Sequence, residues 1–313
     1  MPDTSRGESD VGAFGDRQED DPELPLDIVR DAVRERFPQF AVGSIEHLGS
    51  GWSYDAYLVD DALIFKFPRH TAAARDLDRI DRIQTVVATA VGAEVGIPEF
   101  TLWGTPSSRF PHRFVGHPPI RGVGAWSVPE TRPELADDIG CALALIHAIP
   151  PSALRELGLR RDAENCQAAF DEARRKVQAV REIESIAPTE CEWLNRLSTV
   201  PNEYAGAPRV IHGDLVPRHV IVSETTGRLA GIIDWTPKLG DPVEDFSWLF
   251  FCRSLSFVRR ALDAYELEAD AGLLERTIFL ARCRVLDWVA GAIRTPWGPD
   301  MYLPILRRSF AAA

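Results

Sequence analysis

The sequence predicts an α+β fold of two lobes, a small lobe built on an antiparallel sheet and a larger lobe that is mostly helical. Short apolar runs separated by turn residues fill the chain from Gly43 to Pro119, which is typical of strands. Long amphipathic patterns fill most of the chain after that point, which is typical of helices. The segment "HPPIRGVG", rich in proline and glycine, separates the two patterns. We therefore predict a first lobe over 25–119 and a second lobe over 120–313.

The first lobe begins with three short apolar runs between Gly43 and Pro68. The runs "SIEHL", "AYLV" and "LIFKF" predict three antiparallel strands, with the turn "GSGWSY" between the first two. A helix is predicted from Pro68 to about Ala93. Two further strands are predicted in "IPEFTLWG" and "HRFVGHPP", so the sheet should have five strands.

The second lobe contains four stretches in which apolar residues recur at helical spacing. These stretches are "RPELADDIGCALALIHAI", "AENCQAAFDEARRKVQAVREI", about Asp241 to Tyr265, and Leu273 to Ile293. Between the second and the third, the strand-like runs Val220 to Val222 and Leu229 to Ile233 are joined by the turn "SETTGR". We therefore predict a helical lobe that carries one hairpin.

The charge of the chain narrows the class of partner. The net charge is −12, and residues 1–24 contribute −6 of it through eight acidic residues and two arginines. These residues lack apolar periodicity, so we predict a flexible acidic leader. An acidic chain repels phosphate backbones, which disfavours nucleic acid and favours a cationic small molecule. Without a signal peptide or a long apolar stretch, we expect a cytoplasmic protein, monomeric and without membrane contact.

Two aspartates lie at the ends of strand-like runs in the second lobe. Asp214 follows the run that ends at Ile211, and Asp234 follows the run "LAGII". Two carboxylates at one rim of a hairpin suit a divalent cation and a proton acceptor, because Mg²⁺ prefers oxygen ligands. The alternative is that each aspartate merely caps a turn, as aspartate often does.

The first lobe supplies a glycine-rich turn and a lysine within a strand. Gly49, Ser50 and Gly51 lie between two predicted strands, where backbone N–H groups can approach a phosphate closely. Lys66 lies in the middle of "LIFKF", and a buried lysine needs an anionic partner, of which phosphate is one. The alternatives are an ordinary hairpin turn and a lysine on an exposed edge.

The order of these pieces resembles the protein-kinase-like small-molecule phosphotransferases, which include aminoglycoside and macrolide kinases. Their catalytic loop is H-x-D-x-x-x-x-N, followed by a strand that ends in a metal-binding aspartate. Here "HGD" is followed by His219 at the asparagine position, and "GIIDWT" supplies Asp234. The resemblance implies that Asp214 is the catalytic residue, that Lys66 holds phosphates and that Asp234 binds Mg²⁺. Tyr54 stands where the family has its third glycine.

Other roles follow from the same resemblance. His212 is expected to position the catalytic loop. Asp241 and Asp245 in "GDPVED" are expected to bond the backbone of that loop and to begin the next helix, since aspartate favours helix N-termini. The helix glutamate that normally pairs with the strand lysine is missing from "RDLDRIDRIQTVV", and Asp81, or else Asp78, is the expected substitute. The nucleotide-binding residues implied by the resemblance are Gly49, Ser50, Gly51, Ser53, Lys66, His117, Pro118, Pro119 and Ile120.

His219 narrows the resemblance to one branch of the family. The pattern "HGDLxxxH" followed by "IDWT" is similar to that of the macrolide 2'-phosphotransferases, which carry histidine at this position and often use GTP. The resemblance implies transfer from GTP, or ATP, to the 2'-hydroxyl of a macrolide amino sugar, with His219 among the metal residues. The alternative is a structural His219 bonded to a neighbouring backbone, and both roles can hold if His219 reaches the metal or a phosphate only through water. Trp288, Trp297 and Tyr302 in the C-terminal segment are candidates for an apolar substrate wall, or for core packing.

Two other functions remain open at this point. The chain could be a kinase of the same fold that acts on an aminoglycoside or an amino alcohol. It could also be a kinase-like binding protein without catalysis, since the third glycine and the helix glutamate are absent and His219 replaces asparagine. An assay of phosphate transfer to each class of acceptor separates the three.

Overall fold

The computed structural model describes most of the chain. The described residues are 21–129, 132–159, 165–187, 191–192, 195, 197, 199–267, 271–295 and 298–311. Residues 1–20 of the predicted leader and the candidate substrate residue Trp297 lie outside them.

By its internal contacts the chain divides into two units, which are described separately. The first comprises the described residues up to Gln84 together with Pro98–Pro119, and the second comprises Thr85–Ile97 and the described residues from Ile120 onward. The prediction placed 85–97 in the first lobe. In the structure, the Gly96 N–H donates to Ala230 O and Gly96 O accepts from the Ile232 N–H, both at 2.9 Å, so this segment pairs with a strand of the second unit.

The first unit is built on a five-stranded antiparallel sheet in the order β1-β2-β3-β5-β4. Its strands are β1 Ile45–Ser50, β2 Tyr54–Val59, β3 Leu63–Pro68, β4 Leu102–Gly104 and β5 Phe114–His117. The helices are α1 Leu26–Arg36 and α2 Thr71–Val91, of which α2 continues into the second unit. The five predicted strands are therefore present, and α1 is an additional helix that the sequence analysis did not predict.

Apolar side chains cover both faces of this sheet. On one face α1 buries Ile28, Val29 and Val33 against a cluster of phenylalanines that includes Phe67 and Phe114, whose rings stack at 4.6 Å. On the other face a smaller cluster contains Leu77 of α2, Phe100 and Val115. The burial of these side chains provides most of the driving force for folding of the unit.

A buried ion pair fixes the start of the described chain to the sheet. Arg69 Nη1 lies 2.6 Å from Asp55 Oδ1, and both side chains are fully buried. The other carboxylate oxygen accepts from the Leu24 N–H at 3.1 Å, and Tyr57 donates to Leu24 O at 2.5 Å. Arg69 also donates to Asp21 O at 2.6 Å. Residues 21–24, the end of the predicted leader, are therefore bound to the first unit.

The second unit combines helices with two small sheets. Its helices are α3 Pro133–His147, α4 Cys166–Arg181, α5 Val243–Cys252, α6 Leu255–Asp263, α7 Leu273–Ala292 and α8 Leu303–Ala311. One sheet has the order β6 Val123–Gly124, β8 Val220–Val222 and β9 Leu229–Ile232, and the other pairs β7 Arg209–Ile211 with β10 Lys238–Gly240. The predicted hairpin is confirmed as β8 and β9.

The helix predicted over about Asp241 to Tyr265 is two helices. The chain is extended at Arg253 (φ −123°, ψ 162°), and Ser254 caps α6 by accepting from the Phe257 N–H. The Arg253 side chain is buried and donates to the carbonyl oxygens of Ala125 and Val128. A residue that caps a helix has non-helical backbone dihedrals, and Ser254 is extended (φ −67°, ψ 160°), so one continuous helix is interrupted here. Among the described residues, no helix is long and apolar enough to cross a membrane.

The Asp55–Arg69 pair predicts a large effect of a single truncation. Arg69→Ala should lower the free energy of unfolding by about 3–5 kcal/mol, because it leaves a buried carboxylate without its cation. Urea unfolding followed by circular dichroism measures the change. The control is Arg109→Ala, which removes an ion pair to Asp27 between exposed side chains and should cost at most about 1 kcal/mol. Equal losses in the two variants would contradict the assignment.

Candidate active site

The loop after β7 is organised by His212. Its side chain is fully buried; Nε2 donates to Ile233 O at 2.9 Å and Nδ1 accepts from the Asp214 N–H at 3.1 Å. These contacts define the neutral tautomer with hydrogen on Nε2. Burial lowers the pKa of His212 below its usual value, against the opposing effect of the Asp245 carboxylate. His212 therefore connects the backbone before Asp214 with the backbone before Asp234.

The carboxylate of Asp245 in α5 binds the backbone of the same loop. Its fully buried carboxylate accepts from the N–H of His212 at 2.9 Å, from the N–H of Gly213 at 3.1 Å and from His147 Nε2 at 3.0 Å. His147 Nδ1 lies 2.9 Å from the Tyr265 hydroxyl. Burial alone would raise the pKa of Asp245, but the hydrogen bond and charge of His147, with contacts to His212, bring the pKa below its usual value.

Gly213 is required by the geometry of the loop. Its φ of +84° lies in the left-handed region, and a Cβ at this position would overlap the carbonyl oxygen of Thr236. Thr236 in turn donates its N–H to His212 O at 3.2 Å. The close approach of these two backbone segments places the loop of Asp214 beside the residues that follow Asp234.

Asp214, His219 and Asp234 come together at one place. His219 Nδ1 donates to Asp214 O at 2.8 Å and lies 3.6 Å from Asp214 Oδ2, while His219 Nε2 lies 3.3 Å from Asp234 Oδ2. Burial lowers the pKa of His219, although both carboxylates oppose this shift. The histidine side chain is buried, whereas the side chains of Asp214 and Asp234 are 35% and 49% exposed. Two accessible carboxylates thus flank one buried imidazole.

Asp234 has an unusual backbone conformation for its residue type. Its φ is +61°, and the residues on either side are fixed, since the Ile233 N–H donates to His219 O and Trp235 is buried with its Nε1 on Ile232 O. A left-handed conformation outside glycine costs free energy and persists only where the surroundings impose it. Here it turns the carboxylate toward His219 directly after β9.

The first unit places Lys66 at the centre of its sheet. Lys66 pairs with Ala56 of β2 and with Val115 of β5, so the alternative of a lysine on an edge strand is excluded. Its ammonium group lies 5.7 Å from the centre of the Tyr54 ring, and the Tyr54 hydroxyl donates to Ala73 O of α2. Tyr54, the departure from the third glycine, therefore contacts the lysine directly.

The glycine-rich turn forms the end of the β1–β2 hairpin. The Gly51 N–H donates to Tyr54 O at 2.9 Å, which closes the turn, so in this structure it is engaged within the hairpin. The Ser50 hydroxyl lies 2.9 Å from His47 Nε2, and Ser53 O accepts from the Arg69 N–H. Trp52, at the tip, is 62% exposed. Gly49, Ser50, Gly51 and Ser53 were expected to bind nucleotide, and the N–H of Gly51 already donates to Tyr54 O.

His117 ends β5 in a buried position. Nδ1 lies 2.9 Å from Pro118 O, so it donates, and within the described residues the buried Nε2 makes no hydrogen bond. Burial lowers the pKa of His117 to about 4. The imidazole is therefore neutral at physiological pH, and Nε2 presents an acceptor lone pair.

The acidic residues of α2 differ in their surroundings. Asp78 is paired with Arg113 at 2.8 Å, which gives it a partner other than Lys66. Asp81 is half-buried; burial raises the pKa of its carboxyl, and the backbone of Phe100 opposes that rise through a hydrogen bond. The pairing of Asp81 with Lys66 stays a prediction.

Two of the C-terminal candidates, Trp288 and Tyr302, belong to an aromatic cluster. The rings of Trp288 on α7 and Tyr302 meet edge to face at 5.4 Å, and Trp248 of α5 lies 5.9 Å from Trp288. The Arg284 guanidinium stacks 4.4 Å from the Trp248 ring. Met301, beside Tyr302, is 52% exposed. Trp248, Trp288 and Tyr302 are each half-buried, so part of the cluster is accessible to solvent.

Two further residues contribute to the site, of which the sequence predicted Asp245 but not Arg218. The roles of Asp241 and Asp245 in "GDPVED" were both expected to be contacts with the catalytic loop, and Asp245 makes them. Asp241 instead accepts from Arg276 at 2.7 Å and from the Val243 N–H of α5. Arg218 was not singled out, although its Nε lies 3.1 Å from His219 Nε2. In the sequence, the one indication that Arg218 contributes to the site was its position directly before His219.

The comparisons with known proteins agree with this arrangement. The sequence profile of APH, the "Phosphotransferase enzyme family", matches residues 44–279, which is more than half of the chain. The chain belongs to this family. A curated relative, the uncharacterized protein YcbJ of Bacillus subtilis (strain 168), is 43% identical over 44 residues, which make up 14% of this chain and 14% of that protein.

Solved structures of the family share the fold. The GDP complex of wild-type aminoglycoside 2'-phosphotransferase-IIIa is 21% identical with a TM-score of 0.68, covering 92% of this chain and 99% of that one. Macrolide 2'-phosphotransferase MphH from Brachybacterium faecium is 17% identical with a TM-score of 0.62, covering 90% and 98%. Macrolide 2'-phosphotransferase type I is 19% identical with a TM-score of 0.61, covering 92% and 97%. The predicted kinase-like α+β fold is thereby confirmed.

The geometry at Gly213 predicts that alanine is more destabilising there than at Gly158. Gly213→Ala should lower the free energy of unfolding by more than about 2 kcal/mol, because the left-handed φ alone costs about 1–2 kcal/mol and the overlap with Thr236 O adds to it. In Gly158→Ala, the φ of +59° is similar, but the added Cβ meets open space, so only about 1 kcal/mol should be lost. Urea unfolding compares the two, and a Gly213→Ala protein as stable as Gly158→Ala would refute the packing argument.

Proposed function

We propose that this protein is a kinase that transfers the γ-phosphate of a purine nucleotide, with GTP favoured, to the 2'-hydroxyl of the amino sugar of a macrolide. The observation that carries the proposal is the joint placement of Asp214, His219 and Asp234 within "HGDLVPRH" and "IDWT". This pattern resembles the macrolide branch of the family to which the chain belongs.

Asp214 is the catalytic residue of the proposal. The acceptor oxygen forms a bond to the γ-phosphorus while the bond from that phosphorus to the bridging oxygen of the β-phosphate breaks, and the nucleoside diphosphate leaves. The hydroxyl proton passes to the Asp214 carboxylate. The partial exposure of that carboxylate, on a loop held by His212 and Asp245, fits a group that meets a substrate.

The donor side of the proposal uses residues of the first unit. Lys66 holds nucleotide phosphates, which are the anionic partner for a lysine in a central strand. Gly49, Ser50 and Ser53 contribute from the glycine-rich turn, and Asp81 orients Lys66.

The hinge residues support the preference for GTP. Pro118 and Pro119 offer carbonyl oxygens but no N–H. The Watson–Crick edge of guanine carries two donor groups, N1–H and the 2-amino group, whereas that of adenine carries one. A hinge over 117–120 that is rich in acceptors therefore matches guanine better.

The donor set of Asp234 and His219 fits a divalent cation. Among the described residues, no group of three or more histidine, cysteine, aspartate or glutamate side chains is suited to hold a metal ion. A site with one or two protein ligands is normal for Mg²⁺, which takes substrate phosphate oxygens as further ligands. When bound there, Mg²⁺ neutralises charge on the phosphates. Asp234 would supply the carboxylate oxygen and His219 Nε2 the second contact.

The acceptor side of the proposal rests on the aromatic cluster around Trp288 and Tyr302. Macrolides are large and apolar and need such walls, whereas polycationic aminoglycosides need a dense acidic pocket. Trp297 is proposed as part of the same wall. We further propose that the protein acts as a monomer in the cytoplasm.

A panel of acceptors and donors tests the proposal. Purified protein with Mg²⁺ is incubated with erythromycin, kanamycin or choline, and with GTP or ATP, and phosphorylated products are measured by mass spectrometry. We expect a phosphorylated macrolide with GTP as the better donor. Asp214→Ala should lower turnover by about 10²–10⁴-fold while nucleotide binding persists. Transfer only to kanamycin or choline would assign another substrate class, and nucleotide binding without any transfer would indicate a binding protein.

A further inference from the structure

Arg218 occupies the one ring nitrogen of His219 that faces Asp234. Both residues belong to the single helical turn Pro217–His219, and the Arg218 side chain is exposed. Arg218 Nε donates to His219 Nε2 at 3.1 Å. The same Nε2 atom lies 3.3 Å from Asp234 Oδ2. The guanidinium group is therefore directly beside the atoms that would hold a cation.

The second ring nitrogen of His219 is committed to the backbone. Nδ1 donates to Asp214 O, which can only accept, so Nδ1 carries hydrogen and Nε2 carries the lone pair of the neutral ring. A lone pair that accepts from Arg218 is not available to a metal ion at the same time. The ring also cannot exchange its two nitrogens by flipping without losing the contact with Asp214.

We propose that Arg218 guards the cation site: its side chain competes with the divalent cation for His219 Nε2 and must move away before the cation binds. The proposal rests on the cation site of the proposed function. Two physical effects act in the same direction, because Arg218 both occupies the lone pair and places a positive charge beside Asp234. Arg218 therefore lowers the affinity of the empty enzyme for the cation.

The exposure of Arg218 makes the movement inexpensive. An exposed arginine exchanges its contact with one neutral nitrogen for contacts with water, whereas His219 and the backbone of the loop stay in place. Because Nε2 remains directed at Asp234 after Arg218 leaves, the cation meets a site that is already formed. The consequence is a cation affinity that depends on one surface side chain.

Manganese binding measures this affinity without catalysis. Mn²⁺ is titrated into the purified full-length protein, with and without GDP, and free Mn²⁺ is followed by electron paramagnetic resonance. Arg218→Met should bind Mn²⁺ about 5–50-fold more tightly than the wild type, since it removes both the donor and the charge. Arg218→Lys keeps the charge but not the Nε–H donor, so its affinity should lie between the two. Arg259→Met, an exposed arginine of α6, is the control and should leave the affinity unchanged.

Two further variants separate failure of the guard from failure of the cation site. Asp234→Ala should abolish specific Mn²⁺ binding both in the wild type and in Arg218→Met. Binding that survives this change would overturn the cation site itself. Specific binding that depends on Asp234 but is unchanged or weakened in Arg218→Met would overturn the role of Arg218 alone. In a His219→Gln background, Arg218→Met should tighten binding less than in the wild type, because the shared nitrogen is gone. An equal gain in both backgrounds would contradict competition at Nε2.

Discussion

The candidate active site depends on one buried carboxylate. Asp245 has no exposed surface, and burial alone would raise its pKa, yet the pKa lies below the usual value because His147 and the backbone N–H of His212 donate to the carboxylate. The Gly213 N–H donates to the same carboxylate. A buried carboxylate without such donors would be strongly destabilising, so folding requires the loop to take this path. Because Asp214 directly follows Gly213, the contacts of Asp245 with the loop also fix the position of Asp214.

The two histidines of the loop determine the hydrogen-bonding groups and the charge next to Asp214 and Asp234. His212 and His219 are buried, burial lowers the pKa of each, and the hydrogen bonds of each ring fix a single tautomer. Neutral rings add no positive charge, so the carboxylates of Asp214 and Asp234 determine the local charge together with Arg218. The substitution of histidine for the usual asparagine thus keeps the loop closed and leaves one lone pair beside Asp234.

How much the sequence predicts depends on the distance between partners along the chain. The hairpin of β8 and β9 and the loop residues Asp214 and His219 lie within a short segment, so turn chemistry and motif spacing were sufficient. The contacts of Asp245 with His212, 33 residues away, and with His147, 98 residues away, depend on how separate elements pack. The motif "GDPVED" was the one signal that Asp245 binds the backbone of the loop. It suggested the same role for Asp241, whose carboxylate instead forms an ion pair with Arg276.

Helix boundaries show the same limit. The apolar pattern runs through Arg253 and Ser254 without interruption, so periodicity predicted one helix where the cap at Ser254 and the buried Arg253 side chain produce two. The helix α1 lies before Gly43, where the first predicted element begins, and it was not predicted although Ile28, Val29, Ala32 and Val33 follow a helical spacing.

Hydrogen exchange in Asp245→Asn tests the role of this carboxylate most directly. The asparagine has the same shape, but its amide nitrogen cannot accept from one of the two backbone N–H groups, which costs about 1–3 kcal/mol. We predict exchange at least about tenfold faster in the peptide that contains His212 and Gly213, with unchanged exchange in β2 and β3 of the first unit. Unchanged protection of His212 and Gly213 in a folded Asp245→Asn protein would contradict the claim that Asp245 positions the loop that carries Asp214.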